Sequence, residues 1–401
     1  MSNKDINRRD FLGGAASASM GMLIASGMTG RRAGAAEKVI AGFDDEGSGN
    51  MKKNWKPVSD RKVRVGIVGY GLCKFGAAFG FQNHPNVEII AVSDLIKERR
   101  QGLMRACRCE KSYDSLEELV KDDTIEAVFV ATDAPSHVKH CIDVMSHGKH
   151  VMVAVPAVWG SIEDADRLLE AVKNTGMKYM MAETSCFRED CYAMMKIYKE
   201  GGFGKLVYSE GEYHHYFAGK ALPSFNNWRS TGAPLWYPTH ATAYYVGVTG
   251  QRFTSVSAMG RKGKHGPLKP GGNPFSDETA LFKTSEGGTS RMMLTSSIYG
   301  LISETGRVFG EKGFMLQTKY RGLMKNLPDI RRPALPPGMP AGFHGGSHGP
   351  LTNEFIESIL LDRMPLVNIY QALSMTVPGI VAHQSAMKDG ENLKVPQYVM
   401  T

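Results

Sequence analysis

Tyr237-Pro238-Thr239-His240 places a histidine directly after a Pro-Thr turn and ahead of an apolar run, Ala241–Val248, that reads as a helix. An imidazole at a helix start is expected to have a depressed pKa and to stay neutral, so it can accept a proton from an alcohol. Hydride removal from a carbinol carbon requires that the hydroxyl proton leave, which makes His240 the candidate base, with a capping or packing histidine as an equal reading. Tyr237 could share that proton or hold a sugar hydroxyl; an aromatic packed in a domain core is an equal reading. Glu183 closes an apparent strand, Lys178–Ala182, and could orient His240 or bind hydroxyls, with a salt bridge to Arg188 as the plainer alternative. Phe343-His344-Gly345-Gly346-Ser347-His348-Gly349 reads as a glycine-flanked loop with two exposed histidines, followed by a helix over Leu351–Leu361. Such loops line sites because their backbone can approach a ligand. His344 is therefore a candidate sugar contact and His348 a supporting catalytic residue, with a merely flexible loop as the alternative. The same pair has metal-like spacing, but zinc wants a third ligand nearby and none stands out, so no metal is expected. Trp228 and Arg229, after two asparagines, offer a stacking surface and bidentate donors suited to a sugar ring, against the default of a buried tryptophan.

These side chains need elements to position them. Arg64–Val68 is a strand-like run followed at once by Gly69-Tyr70-Gly71, then a helical stretch over Phe75–Asn83, then a second strand, Val87–Val92, ending at Ser93-Asp94. Strand, glycine turn, helix, strand and a terminal acid make up the dinucleotide-binding pattern. Glycines let the backbone approach a pyrophosphate at a helix N-terminus, and the acid accepts hydrogen bonds from ribose hydroxyls. The third fingerprint glycine is replaced by Lys74, with Gly76 two residues on. Asp94 would repel a 2′-phosphate, so NAD is favoured over NADP, although Lys97, Arg99 and Arg100 lie close by. Further strands at Ala127–Thr132 and His150–Val155, separated by the helix-like Val138–His147, extend a doubly wound parallel α/β sheet. Cofactors lie at the carboxyl ends of such strands. Gly69, Gly71, Leu72 and Asp94 are the expected contacts on the first half, and Thr132, Ala134, His137 and Pro156 on the second. Farther on, Gly204–Tyr213 alternates like a strand with one wet face and continues into His214-His215-Tyr216.

The 401 residues suggest two domains. With 42% hydrophobic and 22% charged residues the chain is an ordinary globular one, and no 20-residue stretch is apolar enough to span a membrane. Net charge is +8, but Arg8, Arg9, Arg31 and Arg32 put part of it at the N-terminus, and the remainder is too diffuse to indicate nucleic acid. Asn7-Arg8-Arg9-Asp10-Phe11-Leu12 has the form of a twin-arginine export motif. A weakly apolar Gly/Ser/Ala run and Ala33-Gly34-Ala35-Ala36 follow it. Residues 1–36 are thus expected to be a signal peptide and 37–60 a linker. A nucleotide domain over 61–182 and a substrate domain over 183–401 would follow, in the periplasm or outside the cell. The six cysteines form no CxxC pair, and Cys107-Arg108-Cys109 reads as helical or core thiols. The Pro-rich Arg331–Pro340 stretch reads as a loop.

The order Gly69-Tyr70-Gly71, Asp94, Thr132-Asp133-Ala134-Pro135-Ser136-His137 and Val151–Pro156 resembles the Gfo/Idh/MocA oxidoreductases. That resemblance implies a Rossmann domain followed by an α/β domain with a large, mostly antiparallel sheet, and hydride transfer on sugars, sugar derivatives or inositols. It also implies an open sheet face of the kind that pairs subunits, hence a homo-oligomer. Tyr237-Pro238-Thr239-His240 and His344-Gly345-Gly346 are similar to the branch of NAD-dependent α-N-acetylgalactosaminidases. That branch cleaves glycosides through a transient keto-sugar and returns the hydride. The family's catalytic Lys falls on Val155 and the branch's Glu on Ala154, so both are absent. Phe187 stands for a tyrosine, and Ser347-His348 for an acid–aromatic pair. A sugar- or nucleotide-binding relative without catalysis is the remaining alternative.

Overall fold

The computed structural model describes residues 51–216, 224–263 and 273–400. The expected signal peptide and the first part of the expected linker lie outside them. Within the expected linker, Met51 bridges to Arg332, and Trp55 Nε1 donates to Asn353 Oδ1 at 3.2 Å.

The first sheet holds β1 (Val63–Val68), β2 (Val87–Ser93), β3 (Ser112–Tyr113), β4 (Ala127–Val130), β5 (His150–Val153) and β6 (Tyr179–Met181) in the order β3-β2-β1-β4-β5-β6. Every pairing is parallel. Its central strands are apolar on both faces, as a sheet covered by helices on both sides requires; Val65, Ile67, Phe129 and Met152 have no exposed surface. The covering helices are α1 (Phe75–Ala78), α2 (Lys97–Cys107), α3 (Leu116–Leu119), α4 (His137–Ser146) and α5 (Ile162–Thr175). The Phe75–Asn83 segment is not one helix. Gly80 takes φ 76° and ends α1, and a short 3-10 turn, Phe81–Asn83, follows. Cys107 and Cys109 are buried, and burial pushes the Cys107 thiol up to about 12.

The second sheet runs β13-β12-β11-β7-β10-β9-β8-β14. Its strands are β7 (Leu206–His215), β8 (Phe253–Lys262), β9 (Phe275–Thr284), β10 (Thr289–Thr295), β11 (Ile302–Gly310), β12 (Gly313–Leu316), β13 (Lys319–Gly322) and β14 (Leu393–Lys394). Only β7 and β10 pair in parallel; the rest is antiparallel. Helices α6 (Glu189–Lys199), α7 (Trp228–Thr231), α8 (Thr239–Thr242), α9 (Val246–Thr249), α10 (Phe343–Gly346), α11 (His348–Leu360) and α12 (Ile369–Ala386) complete the unit. The apolar run after His240 breaks between α8 and α9 because Tyr244 and Tyr245, both fully buried, anchor in different directions. The Tyr244 hydroxyl reaches Asp190 and the Tyr245 hydroxyl reaches Glu286. No helix among the described residues is long and apolar enough to cross a membrane.

Candidate active site

The turn after β1 shapes a cleft lined by Gly69, Gly71, Leu72, Asp94 and Thr132 from the first sheet and by Trp228 and Arg229 from the second half of the chain. Gly69 sits at φ 103°, where a Cβ would stand 2.3 Å from the Ala131 carbonyl oxygen. A Cβ on Gly76 would stand 2.4 Å from the Gly69 carbonyl oxygen. Gly76 therefore does what the third fingerprint glycine does, letting helix and turn pack closely, while Lys74 takes the left-handed N-cap of α1. Asp94 organises this turn: Oδ2 accepts from Tyr70 N at 2.7 Å and Oδ1 from Ile96 N at 2.9 Å. Arg99 lines the cleft beside it, whereas Arg100 is drawn off to the Asp94 carbonyl and the Asp114 carboxylate. The residues present fit a nicotinamide dinucleotide: a tight glycine turn, an open approach at Gly71 and a carboxylate at the end of β2.

Three expected cofactor contacts stand apart from this cleft lining. Ala134 and Pro156 are buried, and His137 is 1% exposed. His137 Nδ1 lies 2.8 Å from the Pro156 carbonyl, so the ring ties the segment after β5 to the start of α4. Ala154 and Val155 are buried apolar residues at the end of β5.

Trp228 and Arg229, read from sequence as sugar contacts, line the nucleotide cleft. The Arg229 guanidinium lies 4.3 Å from the Trp228 ring and 6.0 Å from that of Tyr237, and reaches Cys73 Sγ at 3.8 Å. Tyr237 continues the line, with its ring 5.4 Å from that of His240.

His240 departs most from the sequence reading. It sits on α8, 2% exposed, with Nδ1 at 2.8 Å from Glu183 Oε1 and 3.8 Å from Glu304 Oε1. Burial alone would lower its pKa, but the two carboxylates outweigh burial and raise it to about 9. The ring is an imidazolium at neutral pH, not the neutral imidazole expected from its helix position. A helix of four residues offers little dipole against two carboxylates in direct contact. Glu183 is fully buried; the His240 charge and hydrogen bonds overcome its desolvation and hold its carboxyl below the usual range. Glu183 thus pairs with His240, and Arg188 lies instead 3.9 Å from Glu304. Burial dominates at Glu304 and raises its pKa despite the nearby cations. Ser185 Oγ donates to the His240 carbonyl at 3.0 Å and also touches the Glu304 carboxylate. The donor atoms of Glu183, His240 and Glu304 lie within 4.8 Å of one another. That spacing would also suit a cation, but the short Nδ1–carboxylate contact makes the trio a charge-assisted hydrogen-bonded pair backed by a second acid.

With Nδ1 committed to Glu183, His240 Nε2 makes no hydrogen bond to a described residue. Tyr213, Tyr237 and His344 surround the ring, with centroids 4.8, 5.4 and 6.2 Å away. Burial holds the Tyr237 phenol well above its ordinary pKa, so it stays protonated, and its oxygen accepts from the Arg229 guanidinium. The turn that delivers Tyr237 and His240 is fixed from behind. Glu278 of β9 accepts from Leu235 N at 2.8 Å and pairs with His383 of α12 at 2.7 Å.

The histidines of the Phe343–Gly349 segment are not exposed: His344 is 4% exposed and His348 fully buried. His344 faces His240, whereas His348 opens α11 and stacks on Phe79 at 4.2 Å, behind the site. The domains close over both rings, which the glycine-rich sequence does not reveal. Glu304 escaped the sequence reading. Its signal was weak, an acid four residues before buried Val308 on the same face of β11.

A cleft that fits a nicotinamide dinucleotide thus lies beside a buried histidine–carboxylate centre. The description "Oxidoreductase family, NAD-binding Rossmann fold" of the Gfo/Idh/MocA family model matches residues 63–183, so this segment is similar to that family. The chain's curated relatives include a glycosyl hydrolase family 109 protein of Bacteroides thetaiotaomicron, 27% identical over 57% of this chain and 54% of the relative. An α-N-acetylgalactosaminidase of Bacteroides fragilis is 28% identical over 44% of this chain and 46% of its own length. The chain thus spans about half the length of these relatives. Among solved structures, levoglucosan dehydrogenase with NADH and L-sorbose has 18% identity and a TM-score of 0.69, over 84% of this chain and all of that one. Apo scyllo-inositol dehydrogenase of Lactobacillus casei has 16% identity and a TM-score of 0.66, over 84% and 99%. At these identities the solved structures establish a shared fold.

Proposed function

We propose that this protein moves a hydride between a sugar, sugar derivative or polyol and NAD, with His240 carrying the hydroxyl proton. The observation that carries the reading is the buried His240–Glu183–Glu304 centre, joined to the nucleotide cleft through Arg229 and Tyr237. A bound nicotinamide dinucleotide supplies the hydride acceptor. Gly69, Gly71 and Asp94 hold it, and the Asp94 carboxylate disfavours a 2′-phosphate, supporting NAD over NADP despite Arg99. As an imidazolium, His240 donates a proton through Nε2 to a carbonyl oxygen during reduction. In the oxidative direction it must first be deprotonated, so it serves as base only as pH approaches 9. Purified protein, given NADH and keto-sugars or NAD and polyols, should turn over, and His240→Gln should lower the rate about 10²–10⁴-fold with the nucleotide still bound. Equal rates for the two proteins would refute the assignment.

A second reading is glycoside cleavage through the same redox chemistry, with the cofactor regenerated in each cycle. The family 109 relatives favour it, as does a charged histidine able to protonate a leaving oxygen. Release of aglycone without net NADH would select it. Buried Ala154 and Val155, in place of ionisable groups, support a non-catalytic binder; a nucleotide-loaded protein inert toward every substrate class would select that. Arg8-Arg9 and the small-residue run behind it support export by the twin-arginine route, which fractionation of the native host would test.

A further inference from the structure

A chain of ring nitrogens leads from the nucleotide domain into the site. His348 Nδ1 lies 3.1 Å from the carbonyl oxygen of Ala78, the last residue of α1. A carbonyl only accepts, so Nδ1 carries the proton and, in the neutral ring, Nε2 is a bare acceptor. His344 Nδ1 lies 3.0 Å from that Nε2 and must therefore donate to it. The neutral His344 ring then has its lone pair on Nε2. Both rings are neutral for a physical reason. Burial brings His348 down to about 4 and, with His348, His240, Arg188 and His215 nearby, holds His344 well below its ordinary value. Packing fixes the orientation. His348 stacks on Phe79 with an interplanar angle of 11°, and Phe75 meets both histidines edge-on at 5.7 Å. His344 itself is held at φ 52° between Gly342 and Gly345, and its ring lies across from His240 at an angle of 25°.

We propose that His344 accepts a hydrogen bond from a substrate hydroxyl through Nε2, and that His348 with the Ala78 carbonyl is the device that locks this tautomer. The inference rests on the oxidoreductase reading for its substrate and on the ring contacts between two buried, neutral histidines for the lock. His240 and His344 then form a donor–acceptor pair: a charged N–H on one side of the site and a lone pair on the other. Such a pair suits a ring bearing adjacent oxygens, one accepting and one donating, and disfavours a substrate lacking the second hydroxyl. Because the lock starts at the end of α1, the helix that follows the glycine turn, the polarity of the sugar site is set by the nucleotide domain. His348 is thus a positioning residue, not one that touches substrate.

The test is long-range 1H–15N NMR of 15N-histidine-labelled full-length protein at pH 7, which reads each ring's tautomer without substrate. Wild type should show His344 with Nδ1–H and bare Nε2. His348→Gln, which keeps an acceptor, should retain that state, and His348→Phe, which keeps the stacking on Phe79, should lose it. An Nε2–H or charged His344 in the wild type overturns the lock, as does an unchanged tautomer in His348→Phe. If His348→Phe does not fold, the wild-type spectrum alone decides. For the contact, His344→Leu should raise KM for a cyclic polyol such as myo-inositol at least tenfold and leave the Kd for NAD unchanged. His344→Gln should recover part of that loss. A wild-type KM in His344→Leu refutes the hydroxyl contact. Absence of turnover with every polyol counts against the oxidoreductase reading and leaves the tautomer result standing.

Discussion

At the scale of single residues, the proposed chemistry turns on the charge state of His240. Its folded pKa, about 9, lies above the ordinary 6.5. Its ionic contribution to stability is therefore complete below pH 6.5 and is lost as pH rises through 9. Between pH 7 and 10 the unfolding free energy should fall by on the order of 3 kcal/mol through this group. Urea titrations across that range should show the fall, and His240→Gln should flatten it; equal slopes in the two proteins would contradict the account. Removing one of the carboxylates that raise the pKa should move the alkaline limb of oxidation. We expect Glu304→Gln to shift the pH–rate profile acidward by about one unit or more, with nucleotide affinity intact. Tyr237-Pro238-Thr239-His240 made the histidine legible, and Glu183 at a strand end was legible too. The sign of the pKa shift was not, because it depends on the direct contact of Glu183 with the buried ring and, after it, on Glu304, which reaches the site from a strand more than sixty residues later.

At the scale of elements, the glycine turn and the His344 segment carry the burden. Gly76→Ala would drive a Cβ into the Gly69 carbonyl, displacing the turn or α1. We expect about 1–3 kcal/mol of destabilisation and at least tenfold weaker NAD binding, read by calorimetry. Wild-type affinity in that variant would mean Gly76 is not the packing glycine. Arg332, fully buried in the Pro-rich stretch, donates to the carbonyls of Phe187, Gly345 and Gly346 and so holds His344 opposite His240. Arg332→Ala leaves those carbonyls without this donor and should cost about 3 kcal/mol or more in thermal or denaturant unfolding. The alternation of strands and helices was legible from apolar runs and turn residues, since local patterns encode local structure. The break at Gly80 and the split between α8 and α9 were not. The second comes from tertiary anchoring of Tyr244 and Tyr245, and the burial of His344 and His348 comes from closure of one half of the chain on the other.

For the molecule as a whole, one cleft is lined by the turns of the parallel six-stranded sheet and by Trp228 and Arg229 from the second half of the chain. Trp228 and Arg229 illustrate what sequence alone leaves open: stacking and bidentate donors suit a sugar and a nucleotide equally, and the cleft they line was not legible from their motif. The central claim is that this architecture binds NAD to move a hydride, and it is tested most directly by denaturing purified protein and identifying any released nucleotide by mass spectrometry. The account predicts NAD, either carried at near one per chain or taken up to that level when added. A protein that is empty and takes up neither NAD nor NADP would contradict it.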